Sequence, residues 1–213
     1  MTGTDRLFAF FINEKKWDKW AESYDDKGWM HNMLRKAQST TVNILDLKEN
    51  INLLDVGCGT GYAMGEAAQL VNCKGEFYGV DLSSKMIEKA KANFNGKNNF
   101  HFLTANAESI PLDDDFFDII LCTNSFHHYL HPDKVLKEFY RLLKKGGKVH
   151  VLDPTVDKWY MRIIEKIIKL FEPEHVKLYS TKEFKQLFSS AGLSYSTPEI
   201  KSGHDKIHIG EKR

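Results

Sequence analysis

The stretch Leu53–Ala63, LLDVGCGTGYA, constrains this chain more than any other. Ile51, Leu53, Leu54 and Val56 form the short apolar run that a strand buried on both faces requires, and the run breaks at Gly57. Gly57, Gly59 and Gly61 then alternate. A residue without Cβ tolerates positive φ and lets backbone approach a ligand, so three glycines in five positions predict that something lies against this turn. Thr60 is placed to cap a following helix whose apolar side carries Ala63, Met64, Ala67, Ala68, Leu70 and Val71. The positive end of that helix calls for an anionic group.

Two phosphate loops are set aside by spacing. The glycines are not followed by Gly-Lys-Ser/Thr, so this is not a P-loop, and position 62 is Tyr, so the pattern is GxGxG rather than the dinucleotide GxGxxG. A plain strand-to-helix turn remains the simpler reading of the glycines alone. The next unit shifts the balance. Phe77, Tyr78, Gly79 and Val80 read as a second strand ending at Asp81, and Ser83 or Ser84 caps a helix with Met86, Ile87 and Ala90 facing inward. Asp81 falls twenty residues after Gly61. An acidic side chain there in a doubly wound sheet accepts hydrogen bonds from both hydroxyls of a ribose; its alternative role is a helix N-cap.

With these motifs in place, the chain resembles the class I (Rossmann-fold) S-adenosylmethionine-dependent methyltransferases. Within them it resembles the small-molecule branch of methyltransferase type 11 kind, which includes ubiquinone- and menaquinone-pathway C-methyltransferases. The resemblance runs from Leu53 to Pro154 and rests on four ordered signatures: LLDVGCGTG at 53–61, VDLSSKMIEKA at 80–90, NAESIPLDDDFFD at 106–118, and the run Phe126–Asp153. It implies an α/β fold: a doubly wound, seven-stranded, mainly parallel sheet with helices on both faces, the last strand antiparallel, and an N-terminal helical cap. Residues 1–50 would form the cap and 51–213 the cofactor-binding domain. It also implies that S-adenosyl-L-methionine is held by Tyr24, Asp55, Gly57, Cys58, Gly59, Gly61, Asp81, Leu82, Met86, Asn106, Ala107, Glu108 and Thr123. Tyr24, in Trp20-Ala21-Glu22-Ser23-Tyr24-Asp25, would reach the methionine end, and Leu82 and Met86 would flank the adenine. Where the family often has an acidic residue for the adenine amino group, this chain has Asn106, whose amide can still accept and donate.

Composition agrees. A chain of 213 residues with 42% apolar content can bury one sizeable core. Thirty basic residues against twenty-nine acidic ones provide no global field for nucleic acid or an anionic membrane. Cys58, Cys73 and Cys122 have no metal spacing and are odd in number, which predicts a reducing, cytoplasmic setting. No apolar stretch reaches the length of a membrane span, and Leu7–Ile12 is too short for a signal peptide.

Along the remainder, helical signals cover Glu14–Ser23 and about Trp29–Leu47, where Trp17, Trp20 and Trp29 are expected to join helices to the sheet. A third strand lies between Asn99 and Ala105, with Phe100, Phe102 and Leu103, and stops at Asn106-Ala107-Glu108, so that Gly57, Asp81 and Asn106 should share the carboxyl rim of the sheet. A fourth strand, Asp118–Thr123, leads to Asn124-Ser125-Phe126-His127-His128-Tyr129, near which the resembled family places its methyl acceptor. His128 is the expected acceptor contact, and His127, His128 and Tyr24 are the available bases. His127, His128, His131 and Asp133 match no metal-site spacing, and no metal is expected. Lys144-Lys145-Gly146-Gly147-Lys148 reads as the glycine-capped end of the helix Asp133–Leu143, with a fifth strand at Val149–Leu152. Lys158–Phe171 reads as a strongly amphipathic helix, packed on the sheet or else serving as a lid, a dimer contact or a membrane-surface element. Ser180–Ala191 reads as a capped helix, and Leu193–Ile200 with Lys206–Gly210 as an antiparallel pair around Gly203.

The expected activity is methyl transfer to a small, partly apolar molecule, yielding S-adenosyl-L-homocysteine, by a monomer or homodimer. The alternatives are an NAD(P)-dependent oxidoreductase, which shares the sheet and the ribose carboxylate, and a non-catalytic S-adenosylmethionine-binding module.

Overall fold

Alternating strand and helix signals resolve into a single mixed sheet with helices on both sides. The computed structural model describes residues 17–18, 28–171, 176–198 and 205–213. Its strands are β1 (Ile51–Val56), β2 (Gly75–Asp81), β3 (Phe100–Thr104), β4 (Phe117–Thr123), β5 (Leu143–Pro154), β6 (Leu193–Ser196) and β7 (Asp205–Lys212). Their order is β3-β2-β1-β4-β5-β7-β6. β1 to β5 run parallel, and β7 is antiparallel to both of its neighbours. The helices among the described residues are α1 (Trp29–Val42), α2 (Tyr62–Leu70), α3 (Ser84–Asn93), α4 (Pro132–Leu142), α5 (Trp159–Phe171) and α6 (Thr181–Ser190), with a 3₁₀ turn at Phe126–His128. None of them is long and apolar enough to cross a membrane.

The apolar runs of the central strands are continuous because each face of the sheet is covered. Leu54, Val56, Ile120 and Cys122 enter one core with Phe126, Phe139, Phe184 and Phe188. Their neighbours Leu53, Phe77, Ile119 and Leu121 point the other way, against Ala63, Met64, Ala67 and Ala68 of α2. Strand order reverses between β1 and β4, and in open α/β sheets that is where a crevice opens at the carboxyl ends. Local signals hold at both capped helices. Ser83 Oγ accepts from Met86 N at the start of α3, and Ser180 forms a reciprocal capping box with Glu183 at the start of α6.

Three expectations change. Thr60 is not the cap of α2, because the helix begins one residue later, at Gly61, which has no side chain to offer. Gly146 does not end α4. The helix stops at Leu142 and the chain enters β5 at once, because Leu143 is fully buried opposite Phe117. The residues up to Lys148 are then accommodated as an irregularity in the β4–β5 register, tied by Lys144 Nζ to the Asp118 carboxylate at 2.8 Å. The helix α5 forms as expected but is not packed on the sheet along its whole apolar side. Met161 is buried with Val156 and Leu178, while Trp159, Ile163, Ile167 and Leu170 are exposed. The proposed turn around Gly203 lies outside the described residues, as do Trp20, Tyr24 and most of the Glu14–Ser23 helix.

The buried histidine of β5 makes stability depend on pH. Burial, with Lys148 adding to it, lowers the His150 pKa from 6.5 to about 4. The folded state therefore takes up this proton less readily than the unfolded chain. The stability contributed by neutral imidazole is complete above pH 6.5 and is lost as pH falls towards 4. Denaturant unfolding of wild type and His150→Leu across this window should show the wild type losing roughly 3 kcal/mol relative to the variant. Parallel curves would show that His150 is not the group responsible.

Candidate active site

The three glycines of the turn do three different jobs. Gly57 (φ +74°) lies under Ser125, whose Oγ is 2.5 Å from where a Cβ would stand, and Gly61 (φ +88°) lies against the Phe94 ring, 2.7 Å from its would-be Cβ. Both are therefore required by the protein's own packing as well as by φ. Gly57 N donates to Val80 O at 2.8 Å, and Gly59 adds a tie to the tip of the same strand. The Gly59 N–H donates to Asp81 Oδ2 at 2.9 Å, while Ser83 N donates to Asp81 Oδ1 at 2.9 Å. Asp81 is thus not the N-cap of α3, which is Ser83. Burial raises its pKa above the usual carboxylate range, against the pull of the Ser83 and Gly59 amides.

Asp55 does not line the cavity at the carboxyl ends of the strands. It is buried behind the turn and accepts from the backbone of Met64 in the first turn of α2, with Oδ1 unpartnered. An acidic side chain of the chain itself therefore occupies the helix N-terminus at which an anionic group was expected. Burial first, and nearby Asp81 second, raise its pKa to about 7. Cys58 turns its sulfur towards Gly79 of β2, and its N–H is used by Val80 O at 3.1 Å.

Outside the carboxyl ends of β1, β2, β3 and β4 lies a cavity of ≈ 300 Å³. One side carries Gly57, Gly59, Asp81, Leu82 and Met86, followed by Ala105, Asn106, Ala107 and Glu108. The other side carries Thr123, Ser125, His127, His128, Tyr129 and Pro154. Trp17, Met33 and Leu34 close it from the N-terminal segment. Of the expected site residues, Gly57, Gly59, Asp81, Leu82, Met86, Asn106, Ala107, Glu108, Thr123 and His128 meet on this cavity. Asp55, Cys58 and Gly61 are not among its lining residues and instead shape the turn from behind. Tyr24 lies outside the described residues. Two side chains are already engaged: Asn106 Oδ1 accepts from Glu108 N at 2.9 Å, and the Glu108 carboxylate pairs with His131 Nδ1 at 2.6 Å.

Two features were not legible in the sequence. Trp17, expected to join helix to sheet, borders the cavity with its ring edge-on to His128, 5.0 Å between centroids. His127 Nδ1 is 2.8 Å from Oδ1 of Asp153, a fully buried carboxylate at the end of β5. Their 26-residue separation carries no motif; only the adjacency of β4 and β5 joins them. The histidines of the cluster have separate partners. Among the described residues no three His, Cys, Asp or Glu side chains are grouped as a metal would need.

This geometry belongs to a known family, since a family model described as a methyltransferase domain matches residues 47–192. The chain belongs to that family. It is 30% identical over 192 residues to the uncharacterized methyltransferase YcgJ of Bacillus subtilis, spanning 86% of this chain and 72% of the relative. The crystal structure of YcgJ superposes with a TM-score of 0.74 at 22% identity, over 84% of this chain and 98% of that one. A demethylmenaquinone methyltransferase of Listeria welshimeri is 27% identical over 201 residues, 84% of this chain and 85% of the relative. Magnesium protoporphyrin IX methyltransferase of Synechocystis PCC 6803, solved with bound SAH, shares the fold at a TM-score of 0.71 and 17% identity, over 98% of this chain and 100% of that one. Membership makes this chain a methyltransferase, and neither the oxidoreductase nor the non-catalytic reading finds support.

Gly61→Ala tests whether the third glycine serves packing. With φ at +88° and the Phe94 ring in the way, the substitution should cost about 1 to 3 kcal/mol of stability without any ligand, read by denaturant unfolding. Unchanged stability combined with lost cofactor binding would assign Gly61 to the ligand instead.

Proposed function

We propose that this methyltransferase binds S-adenosyl-L-methionine along the Gly59–Asp81–Asn106 rim and methylates a small, partly apolar molecule. The cofactor, once bound, supplies an activated sulfonium methyl group, with S-adenosyl-L-homocysteine as product. The observation that carries the reading is Asp81. Its oxygens accept the Gly59 and Ser83 N–H groups, with a further contact from the Leu82 amide, which orients the carboxylate and leaves lone pairs for a ribose diol on the cavity side. The donor set fits an adenosyl group in other respects too. Leu82 and Met86 provide apolar walls for a flat ring, and Ala107 with the Asn106 amide provides polar atoms at its edge. Asp81, Glu108 and Asp205 give the cavity an acidic lining suited to a cationic sulfur centre.

Residues 1–50 act as a cap over a methyltransferase domain at 51–213, a division supported by Trp17, Met33 and Leu34 lying on the cavity wall. Within that cap, Tyr24 contacts the methionine end of the cofactor. Asp55, Cys58 and Gly61 act indirectly, by shaping the glycine turn. Thr123, held by Gln38 Nε2 at 3.1 Å, stands between the cofactor side and the acceptor side. His128, its ring tilted against that of His127 and edge-on to Trp17, contacts the acceptor. The chain's contribution to rate is then to align the acceptor with the methyl group and to exclude water. A relative named for demethylmenaquinone and the aromatic walls support a partly apolar acceptor.

Calorimetry with S-adenosylhomocysteine tests the reading directly. Asp81→Ala should weaken binding by about 1.5 to 3 kcal/mol, the loss expected for a charged hydrogen-bond acceptor. Unaltered affinity, or no binding by the wild type, would sink the proposal. His128→Ala should lower turnover while leaving that affinity intact, and a fall in cofactor affinity would move His128 to the other side of the cavity.

A further inference from the structure

We propose that His127, oriented by Asp153, is the general base of the reaction, and that the methyl acceptor is a weak O–H or C–H acid of the phenol, hydroquinone or enol class. The proposal rests on the methyl-transfer reading above.

Asp153 is the penultimate residue of β5, beside the end of β4, where Asn124 N donates to Leu152 O at 2.8 Å. Its side chain is wholly buried, with Oδ1 on His127 and Oδ2 without a hydrogen-bond partner. A carboxylate in such a place is costly unless something compensates its charge. Burial accordingly raises its pKa, and the contacts with His127 act in the opposite direction. The imidazole is held from its backbone as well, since His127 O accepts from Lys177 N at 3.2 Å. An aspartate accepts and an imidazole N–H donates, so Nδ1 carries the proton and Nε2 is the basic nitrogen. His131 is also paired with a carboxylate, Glu108, but it is not among the residues that line the cavity; His127 is.

A base placed here has a use only if the acceptor must lose a proton to attack. In the step assigned to it, the acceptor O–H or C–H bond breaks and its proton goes to Nε2 of His127. The electron pair left on the acceptor forms the new bond to the methyl carbon, and the pair of the broken C–S bond stays on sulfur. The imidazolium, neutralised by Asp153, then releases its proton to solvent. A neutral amine needs no such help before attack, and a phenolate already ionised needs none at all. Asp153 acts through His127 and is a positioning residue.

The experiment uses the full chain with 2-naphthol, 4-nitrophenol and aniline as probe acceptors at pH 8, where the first is mainly un-ionised and the second mainly ionised. His127→Ala should retain affinity for S-adenosylhomocysteine and lose about 10²- to 10⁴-fold in kcat on 2-naphthol, the usual worth of a general base. On 4-nitrophenol the loss should be under about tenfold, because the proton has already gone. Nitrogen-15 spectra of the histidine rings in the S-adenosylhomocysteine complex should show His127 as the Nδ1–H tautomer, and Asp153→Asn should abolish that preference. Equal losses on the two phenols, no loss on either, methylation of aniline alone or of none of the three, or a tautomer indifferent to Asp153→Asn would each overturn the assignment. Absence of S-adenosylhomocysteine binding by the wild type would instead overturn the methyl-transfer reading beneath it.

Discussion

One carboxylate ties the first two strand ends together. Asp81 takes the Gly59 amide on one oxygen and the Ser83 amide on the other, at 2.9 Å each, so the glycine turn after β1 cannot move independently of the end of β2. Parallel pairing of β1 with β2 brings Val56 level with Val80, which is what allows the contact to form across 22 residues of chain. An ionised group so placed loses much of its hydration, and the amides donating to it offset part of that cost. The cavity, its acidic lining and the cofactor reading all depend on this local arrangement.

Charge elsewhere around the cavity follows the same logic of burial with compensation. Asp55 is set behind the turn and directed at the first turn of α2, where the helix dipole favours it. Asp153 is set behind His127, where an imidazole can share its charge. Both are buried carboxylates at strand ends, yet one supports a helix and the other a ring on the cavity wall. Residue type alone would not have separated them. The distinction lies in which neighbour each strand end meets.

The apolar periodicity made much of the fold readable. The runs at 51–56, 77–80, 100–103 and 118–123 became strands because an unbroken apolar run suits a sheet covered on both faces, and Ser83 and Ser180 became caps because their hydroxyls sit one residue before a helical run. Glycine was the less reliable guide. Gly57 and Gly61 are required by Ser125 and Phe94, and Gly146 lies within β5 rather than at a helix end. In each case a positive φ is real, but its purpose is decided by a contact distant in sequence. The amphipathic pattern of α5 was likewise a sound guide to helix and a poor one to partner, since Trp159, Ile163, Ile167 and Leu170 are left exposed.

The order of strands and helices, the turn at Gly57–Gly61 and an acid at the tip of the second strand were already determined by the sequence, because each is a local matter of period, Cβ and spacing. Tertiary structure alone decided that Asp81 would hold Gly59, that Asp55 would face a helix, that Trp17 would border the cavity, and that His127 would find Asp153. Those pairings depend on strand register and on the direction of side chains at strand ends, and neither is encoded in any short stretch of residues.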